Sequence, residues 1–289
     1  MPATHESVHV HPTAIVDDTA ELGASVSIGP GALVGPRCRI GDHTILGPYA
    51  IVHEHATIGS HNYIHGGAIL GDDPQDRAFD RAVDPGHLFI GDHNIIREFV
   101  TIHRGAGESC PTRIGSHCFI MANAHVGHNC NVADHVVLTN HTVVGGHAKI
   151  GRNAVLSAFS AVHQFCEVGE FAMFQATAVS SQHVPPYCIV HRSGNQLSGI
   201  NAIGLRRSGE FTRDEISEVR EVYRLIFRSS SVPSSALQRT SGREWGAPAR
   251  RLIEFIESVG QLSGRHARGI CTGAARSLRA VRDHSDSSS

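Results

Sequence analysis

Aliphatic residues recur every six positions along the first two thirds of the chain. Starting at Val10, one series contains eleven consecutive Ile, Leu or Val residues at this spacing and ends at Leu70. A second series, in a shifted phase, begins at Ile90 and, after a break, runs from Ile114 to Val168. Residues of these types make up only about a fifth of a typical chain, so runs of this length are not accidental.

Two companion positions support the six-residue period. The residue after the aliphatic is often glycine, which tolerates the backbone angles of a sharp corner. The residue two places before it is usually small, and residues two apart in a strand face the same way, so both should point inward. Four cysteines occupy this small position, and we interpret them as reduced, buried core residues: Cys38, Cys118, Cys130 and Cys166.

A period of six fits short strands that are joined by tight corners and stacked as a solenoid. Three units form one triangular coil of about 18 residues, with the aliphatic side chains inside and the backbones of neighbouring coils paired. We therefore predict a mostly β fold, a hexapeptide-repeat parallel β-helix over residues 8–190. Two segments leave the register and are predicted to be loops, residues 71–89 and 103–113.

A second region is predicted over residues 191–270, because the repeat decays after Val168. The pair Pro185-Pro186 lacks the N–H groups that a paired strand needs. Thr212 and Glu215 then form a capping-box pattern before apolar residues at helical spacing. A weaker helix is predicted around residues 250–259, and the polar residues 271–289 are predicted to form a disordered tail.

Composition excludes several classes of protein. The formal net charge of -2 does not suit a general polyanion binder such as a nucleic-acid protein. No segment has the ~18 consecutive apolar residues of a membrane span, and the N-terminus lacks a signal-peptide core, so we expect a soluble, cytoplasmic protein. Residues 191–289 carry 16 Lys and Arg against 10 Asp and Glu, which favours either an acidic partner or a solvated helical surface.

The predicted coil length places one group of residues in a row. His128, Gly146 and Gln164 are 18 residues apart, and three histidines lie close to them in sequence: His125, His147 and His163. A neutral imidazole can accept a proton from a hydroxyl group, and a glycine N–H can donate to a developing oxyanion. These are the needs of acyl transfer. The alternatives are corner histidines stacked by the repeat, or zinc bound across a subunit interface.

Several short motifs spread over residues 8–270 carry a more specific pattern. They include Pro74-Gln-Asp76, Ile102-His-Arg-Gly105, Asn123-Ala-His-Val-Gly-His128, Val162-His-Gln-Phe165 and Gly204-Leu-Arg-Arg207. With them the chain resembles the UDP-N-acetylglucosamine acyltransferases of lipid A biosynthesis. The resemblance implies a left-handed β-helix and a homotrimer with active sites between subunits. It also implies transfer of a 3-hydroxyacyl group from an acidic acyl carrier protein to the sugar 3-position, without metal, cofactor or covalent enzyme intermediate.

The resemblance also implies a role for each matching residue. His128 would be the general base, and the Gly146 N–H would stabilise the oxyanion. The sugar would contact His125, His147 and Asp76, and the UDP portion would contact four further residues: His163, Gln164, Asn201 and Arg207.

The chain departs from the family pattern at several of these places. Ala78 stands where a lysine is usual, and Asn129 stands where the residue after the base is often Asp. Ile203 and Ser208 replace polar or basic nucleotide contacts. These departures leave open how active the chain is and whether it acylates a hydroxyl or the nitrogen of a 3-amino UDP-sugar.

Two further points stay open at the level of sequence. The acyl-chain length is one, because Ala176 would leave room for a medium or long chain whereas Gln175 would shorten the groove. The reaction class is the other. A trimeric zinc-dependent lyase, similar to the β-helical carbonic anhydrases, and a non-enzymatic scaffold are the alternatives to an acyltransferase.

Overall fold

The computed structural model describes residues 3–4, 7–83, 86–107, 110–228 and 232–273. Short strands and tight corners alternate along the first part of this chain and build three parallel sheets that enclose a triangular prism. This arrangement confirms the predicted hexapeptide-repeat fold, a left-handed parallel β-helix followed by a small helical region. The left-handed course is an exception to the usual right-handed crossover of parallel strands.

Each of the three sheets takes every third strand of the β-helix. Sheet 1 contains Ala3–Thr4, Glu21–Leu22, Arg39–Ile40, Ala56–Ile58, Leu88–Ile90, Thr112–Ile114, Asn131–Val132, Lys149–Ile150 and Glu167–Val168. Sheet 2 contains His9–Val10, Ser27–Ile28, Ile45–Leu46, Tyr63–Ile64, Ile95–Ile96, Phe119–Ile120, Val137–Leu138, Val155–Leu156, Met173–Phe174, Cys188–Val190, Gln196–Ile200 and Thr272–Gly273. Sheet 3 contains Ile15–Val16, Leu33–Val34, Ile51–Val52, Ile69–Asp72, Thr101–His103, His125–Val126, Val143–Val144, Ala161–Val162 and Val179–Ser180.

The strand register follows the predicted coil of 18 residues. In sheet 3, Val126 pairs with Val144 and Val144 pairs with Val162. The register widens at two places, where Leu70 pairs with Ile102 and Ile102 pairs with Val126. Two insertions cause this widening, which we call the first loop (residues 73–87) and the second loop (residues 104–111). Both lie inside the segments that the sequence predicts to leave the register.

The prism interior is filled by the aliphatic and small residues of the repeat. Ile28, Val52, Ile96 and Leu138 are fully buried, whereas Val10 is partly exposed at the open end of the prism. The four cysteines at the small position are buried free thiols, as predicted. Burial raises the pKa of the Cys130 thiol to about 12, so it stays protonated. Cys110 in the second loop differs from the other six cysteines because it is exposed.

The corners of the prism require a left-handed backbone conformation at one residue each. Histidine occupies this position repeatedly, with φ of 57° at His43 and 58° at His117. Along the edge between sheets 1 and 2, five such imidazoles stack face to face with ring centroids 4.8–4.9 Å apart: His43, His61, His93, His117 and His135. These rings are exposed, as the sequence predicts for corner histidines.

The β-helix continues one coil further than the decay of the aliphatic repeat suggests. Phe174 and Ser180 take the inward position in the next two strands and are fully buried. Val184 then forms a bridge with Val168, and Cys188–Val190 pairs in parallel with Met173–Phe174. The prolines do not end the pairing because Pro186 lies in the corner, where no ladder N–H is needed.

A helical region closes the end of the prism. It contains Ala202–Ser208 (α1), Arg213–Phe227 (α2), Pro233–Ala236 (α3) and Ala247–Gln261 (α4), with short 3-10 segments at Leu237–Thr240 and Gly264–His266. Residues 274–289, most of the predicted tail, lie outside the described residues. Cys271 is buried and Thr272–Gly273 pairs with Gln196–Ile200, so the folded part extends to Gly273 rather than ending at residue 270. In the described parts of the chain, no helix has the length and apolar character needed to cross a membrane.

Helix α2 begins at the predicted capping box. The Thr212 hydroxyl accepts from the Glu215 N–H at 3.2 Å, and the Glu215 carboxylate accepts from the Thr212 N–H at 2.8 Å. A Thr212→Ala variant should lose about 1 kcal/mol of unfolding free energy, because the cap satisfies an otherwise orphaned N–H. Chemical denaturation at fixed protein concentration measures this loss. Ser217→Ala, on the exposed face of the same helix, is the control and should be neutral or slightly stabilising; equal values for the two variants would contradict the prediction.

Candidate active site

The predicted row lies on the edge of the prism between sheets 3 and 1. Three successive coils turn there, at residues 127–130, 145–148 and 163–166, and each turn follows a strand of sheet 3. His128, Gly146 and Gln164 occupy the same position in the three turns. They line one cavity of about 510 Å³, together with His125 and His163. The structure therefore brings together the three residues that the 18-residue spacing predicts to be neighbours.

The protonation pattern of His128 follows from its neighbour Asn129. The Asn129 side-chain nitrogen donates to the carbonyl oxygens of Ala106 and Cys110, while its oxygen accepts from the Ala106 N–H. These contacts fix the orientation of the amide, so the oxygen faces Nδ1 of His128 at 2.7 Å. Since an amide oxygen only accepts, Nδ1 must carry the proton in this contact. The Nε2 of the neutral imidazole is then left with a lone pair.

Gly146 lies directly against the His128 ring. A Cβ atom at residue 146 would lie 2.8 Å from the His128 Nε2, closer than a real side chain can approach. The position therefore needs glycine for space. Among the described residues, the Gly146 N–H has no hydrogen-bond acceptor, which leaves it available to an oxyanion in the cavity.

His125 and His147 flank the row in a partly buried environment. The His125 Nδ1 hydrogen-bonds the Thr101 hydroxyl at 2.8 Å, and the His147 ring meets that of His128 edge-on at 5.2 Å. Burial, reinforced by the nearby His103 and His128 rings, lowers the pKa of His125 to about 4. Burial also lowers the pKa of His147, and His128 adds to that shift. Neutral imidazoles in the site can therefore accept hydrogen bonds from a hydroxyl-rich ligand.

The lowered pKa of His125 predicts a loss of stability in mild acid. In the unfolded chain this imidazole titrates near 6.5. Between pH 6.5 and about 4 the unfolded state therefore binds more protons than the folded state, and stability falls as the pH falls. We expect wild-type protein to lose about 1–2 kcal/mol more than His125→Gln between pH 7 and pH 5, allowing for partial exposure of the ring.

Chemical denaturation at the two pH values and one protein concentration measures this difference. An NMR titration of the folded protein supplies an independent check, since the lowered pKa of the His125 ring should appear directly, well below the usual imidazole value of about 6.5. Equal pH dependence in the two proteins, together with an ordinary His125 titration, would contradict the prediction.

The first loop is fastened to the prism by a charge cluster around the buried Arg104. Arg104 is 0% exposed, and its guanidinium contacts the carboxylates of Glu54 at 3.1 Å and Asp73 at 2.5 Å. Arg81 from the loop also contacts Asp73, at 2.6 Å. Two arginines and two carboxylates thus balance one another where charge would be costly if unpaired. This cluster fixes the start of the loop beside the edge that carries His128.

The loop brings Gln75 to the cavity and Asp76 to its neighbourhood. Gln75 forms part of the cavity wall, and Asp76 is exposed at the start of a turn in which its carboxylate accepts from the Ala78 N–H at 2.9 Å. The Asp76 carboxylate opposes the lowering of the pKa of His147, which indicates that the two groups lie near each other. Asp76 therefore lies on the same side of the prism as the histidines, as the sequence predicts.

Asn201 and Arg207 lie elsewhere in the same chain. They line a second cavity of about 470 Å³ on the outer face of sheet 2, beside Val155, Met173 and Ile189, whereas the first cavity lies on sheet 3. Asn201 is buried, and its side chain caps α1 by accepting from the Gly204 N–H at 3.0 Å. One chain thus divides the nine predicted site residues between two faces of the prism.

The structure adds neighbours that the sequence pattern did not single out. His103 is buried beside His125, with ring centroids 5.3 Å apart, and its Nδ1 contacts the Asp73 carbonyl oxygen. Thr101 holds the His125 ring. His103 is the histidine of the Ile102-His-Arg-Gly105 motif and Thr101 directly precedes that motif, so the signal was present without an assigned role.

A metal site needs several ligand side chains close together. In the parts of the single chain that the structure describes, no three His, Cys, Asp or Glu side chains converge closely enough to hold a metal ion.

Two family models match the chain. Residues 183–271 match the second domain of UDP N-acetylglucosamine O-acyltransferase, and residues 37–72 and 111–146 match the bacterial transferase hexapeptide repeat. The first match covers the end of the β-helix and the helical region, and the second covers parts of the prism.

Relatives and solved structures agree with these matches. The acyl-[acyl-carrier-protein]–UDP-N-acetylglucosamine O-acyltransferase of Halorhodospira halophila is 42% identical over 86% of this chain and 96% of its own length. The same enzyme of Myxococcus xanthus is 43% identical, with the same coverage. The crystal structure of the Moraxella catarrhalis UDP-N-acetylglucosamine O-acyltransferase superimposes with a TM-score of 0.80 at 38% identity, covering 86% of this chain and 96% of that one.

Proposed function

Since this chain belongs to the family of acyl-[acyl-carrier-protein]–UDP-N-acetylglucosamine O-acyltransferases, we propose that it transfers an acyl group from acyl carrier protein to UDP-N-acetylglucosamine. The acceptor atom is the oxygen at the sugar 3-position, and the reaction belongs to lipid A biosynthesis. The 3-hydroxyacyl donor and the cytoplasmic location that the sequence predicts are parts of the same proposal.

The observation that carries this proposal is the environment of His128. Its Nδ1 proton is committed to Asn129, so Nε2 can accept the proton of the sugar hydroxyl. The sugar oxygen then attacks the thioester carbonyl of the acyl donor, and the Gly146 N–H donates to the resulting oxyanion. Collapse of this intermediate breaks the carbon–sulfur bond and expels the carrier thiolate, which takes the proton from the His128 imidazolium and leaves as the thiol. Atoms and charges balance without a covalent enzyme intermediate.

The remaining predicted contacts have complementary chemistry. His125 and His147 stay neutral near pH 7, because burial lowers the pKa of both, and they can bind sugar hydroxyls without adding charge. Asp76 beside His147 can accept from the same hydroxyls. His163 and Gln164 lie one coil beyond Gly146 on the same edge. They extend the site towards the nucleotide.

A homotrimer is part of the proposal because one chain holds only part of the site. Arg207 and Asn201 line the cavity on the outer face of sheet 2, whereas His128 lies on the edge beyond sheet 3. If sheet 2 of one subunit faces the catalytic edge of its neighbour, Arg207 can reach the nucleotide phosphates across the interface. A cyclic assembly satisfies this contact at every subunit.

The surface of the prism supports such an assembly. The outward residues of sheet 1 are mostly charged or polar, including Glu21, Arg39 and Lys149, whereas exposed aliphatic residues lie on both other sheets. The edge between sheets 2 and 3 carries the exposed aromatic rings Tyr49, Phe99 and Phe159. Exposed apolar side chains on two neighbouring sheets and the edge between them favour an interaction site. This edge therefore suits the axis of a trimer.

Two observations favour testing a 3-amino UDP-sugar as a second acceptor. Ile203 and Ser208 replace the polar or basic contacts that the family resemblance predicts. Ile203 is exposed in the second cavity, and the Ser208 hydroxyl donates to the Leu205 carbonyl oxygen instead of facing that cavity. A cavity with few polar contacts would discriminate less strictly between acceptors.

The test is a direct product assay. Purified protein is incubated with 3-hydroxyacyl carrier proteins of several chain lengths and with either UDP-N-acetylglucosamine or its 3-amino analogue. Mass spectrometry then identifies the acylated nucleotide sugar. Zinc analysis of the same preparation distinguishes an acyltransferase from the zinc-dependent lyase.

The outcomes separate the alternatives. Product from UDP-N-acetylglucosamine supports the proposal and reports the chain length at once. Product from the 3-amino sugar alone would change the acceptor from oxygen to nitrogen. Stoichiometric zinc without either product would overturn the proposal in favour of the lyase.

A further inference from the structure

The second loop is attached to the β-helix through the residue that also holds the base. Asn129 is buried, and its three contacts with the loop are the Ala106 N–H at 3.2 Å, the Ala106 carbonyl oxygen at 2.7 Å and the Cys110 carbonyl oxygen. Its backbone N–H donates to the Thr112 hydroxyl at 2.8 Å, just after the loop. One amide side chain thus joins both ends of the loop to His128.

We propose that Asn129 is a positioning residue that couples the orientation of His128 to the conformation of the second loop. The inference rests on the proposed function, in which His128 is the base. The amide group performs two tasks with its two different atoms. The oxygen holds the His128 Nδ1–H, and the nitrogen binds the two loop carbonyls.

A carboxylate could perform only the first of these tasks. It accepts hydrogen bonds but donates none when ionised, so its second oxygen would face the carbonyl oxygens of Ala106 and Cys110. Two acceptors placed against a negative charge repel it, and buried groups without partners are costly. The positions of the Ala106 and Cys110 carbonyl oxygens therefore require an amide at residue 129.

The backbone at this corner does not explain the choice of residue. Asn129 has a φ of 59°, in the left-handed region, but Asn and Asp both tolerate this conformation. An Asn129→Asp variant therefore keeps the shape and the backbone conformation and changes only the donors and the charge. This makes it a sharp test of the hydrogen bonds themselves.

We expect Asn129→Asp to release the loop and to slow acyl transfer by about 10- to 100-fold, the cost of a misplaced catalytic group. Hydrogen exchange of the peptide over residues 104–111 should become faster. The ¹⁵N spectrum of the imidazoles should show His128 losing its single tautomer. Asn131→Asp, two residues away on the exposed face of sheet 1, adds the same charge and should change none of these readouts.

A second variant tests the coupling from the loop side. Ala106→Pro removes the N–H that donates to Asn129 and leaves Asn129 and His128 unchanged. It should slow the reaction and broaden the His128 tautomer signal while circular dichroism and thermal unfolding stay close to wild type. It also keeps the inference testable if Asn129→Asp fails to fold.

Three results would overturn the coupling. One is an Asn129→Asp rate equal to or above wild type, as expected if the base needs only an acceptor. Another is slower transfer with unchanged exchange of residues 104–111, and the third is an Ala106→Pro variant with a normal His128 spectrum. The exchange and tautomer measurements need no substrate, so they judge the coupling even if wild-type protein forms no acylated sugar and the proposed function fails.

Discussion

Replacing His128 by alanine should reduce the rate of acyl transfer by about two to four orders of magnitude. The reason is local. Among the six residues of the row and its flanks, His128 has both a proton fixed on Nδ1 and a lone pair on Nε2 directed at the space beside Gly146. Without it the sugar hydroxyl would have to lose its proton to water. The loss should appear in kcat, because the other sugar contacts remain.

A matched control separates catalysis from folding. His117 lies on the same coil as His128 but at the edge between sheets 1 and 2, with its ring exposed in the histidine stack. His117→Ala should retain wild-type turnover, and both variants should unfold within about 0.5 kcal/mol of wild type, as surface changes do. A His128→Ala enzyme with more than a tenth of wild-type turnover would show that another group serves as base. If neither variant has activity on any acceptor, the result favours the hypothesis of a non-enzymatic scaffold.

The fold was predictable because the interior of a β-helix repeats itself. One inward aliphatic per strand, from Val10 to Val168, was enough to give the coil length and thereby the register of the edge that carries His128. The aliphatic series itself stops before the last coil of the predicted β-helix, where Phe174 and Ser180 fill the same inward position and are just as buried. A search for aliphatic residues alone cannot recognise that the terminal coil, next to the helical region, accepts other side chains.

The candidate site was predictable only where it follows the repeat. His128, Gly146 and Gln164 share a cavity because the coil length places them there. The two insertions do not follow the 18-residue repeat, so the contacts of Arg104 with Glu54 and Asp73 could not be derived from the coil length. They depend on how a loop folds back on the prism, which a periodic pattern does not encode.

Arg207 shows a third limit, that of a single chain. The family resemblance assigned it to the nucleotide, yet the structure places it in α1, in a cavity on the outer face of sheet 2 that does not include His128. The resemblance implied active sites between subunits, but a linear sequence does not report which residues of a site come from which copy. The separation within one chain turns the assignment into a prediction about assembly, which can be tested directly.

Mixing two inactive variants should restore activity. His128→Ala lacks the proposed base, and Arg207→Ala should bind the nucleotide sugar about 10- to 100-fold more weakly, the usual cost of losing a charged hydrogen bond. If each site takes His128 from one subunit and Arg207 from the next, trimers formed at random from equal amounts contain intact sites. About a quarter of all sites should be intact, because each of two neighbouring positions is correct half the time.

Subunits mixed in equal amounts and allowed to reassemble, then assayed at low UDP-sugar concentration without selection for mixed trimers, should therefore give about a quarter of wild-type activity. A second mixture also distinguishes sites formed between subunits from sites formed within one chain. When the double variant His128→Ala/Arg207→Ala is mixed with wild type, sites between subunits leave about a quarter of the activity and sites within one chain leave about half. Mixed single variants that stay as inactive as their parents would place the whole site within one chain. Arg207 would then need a role other than binding the nucleotide beside a neighbour's His128.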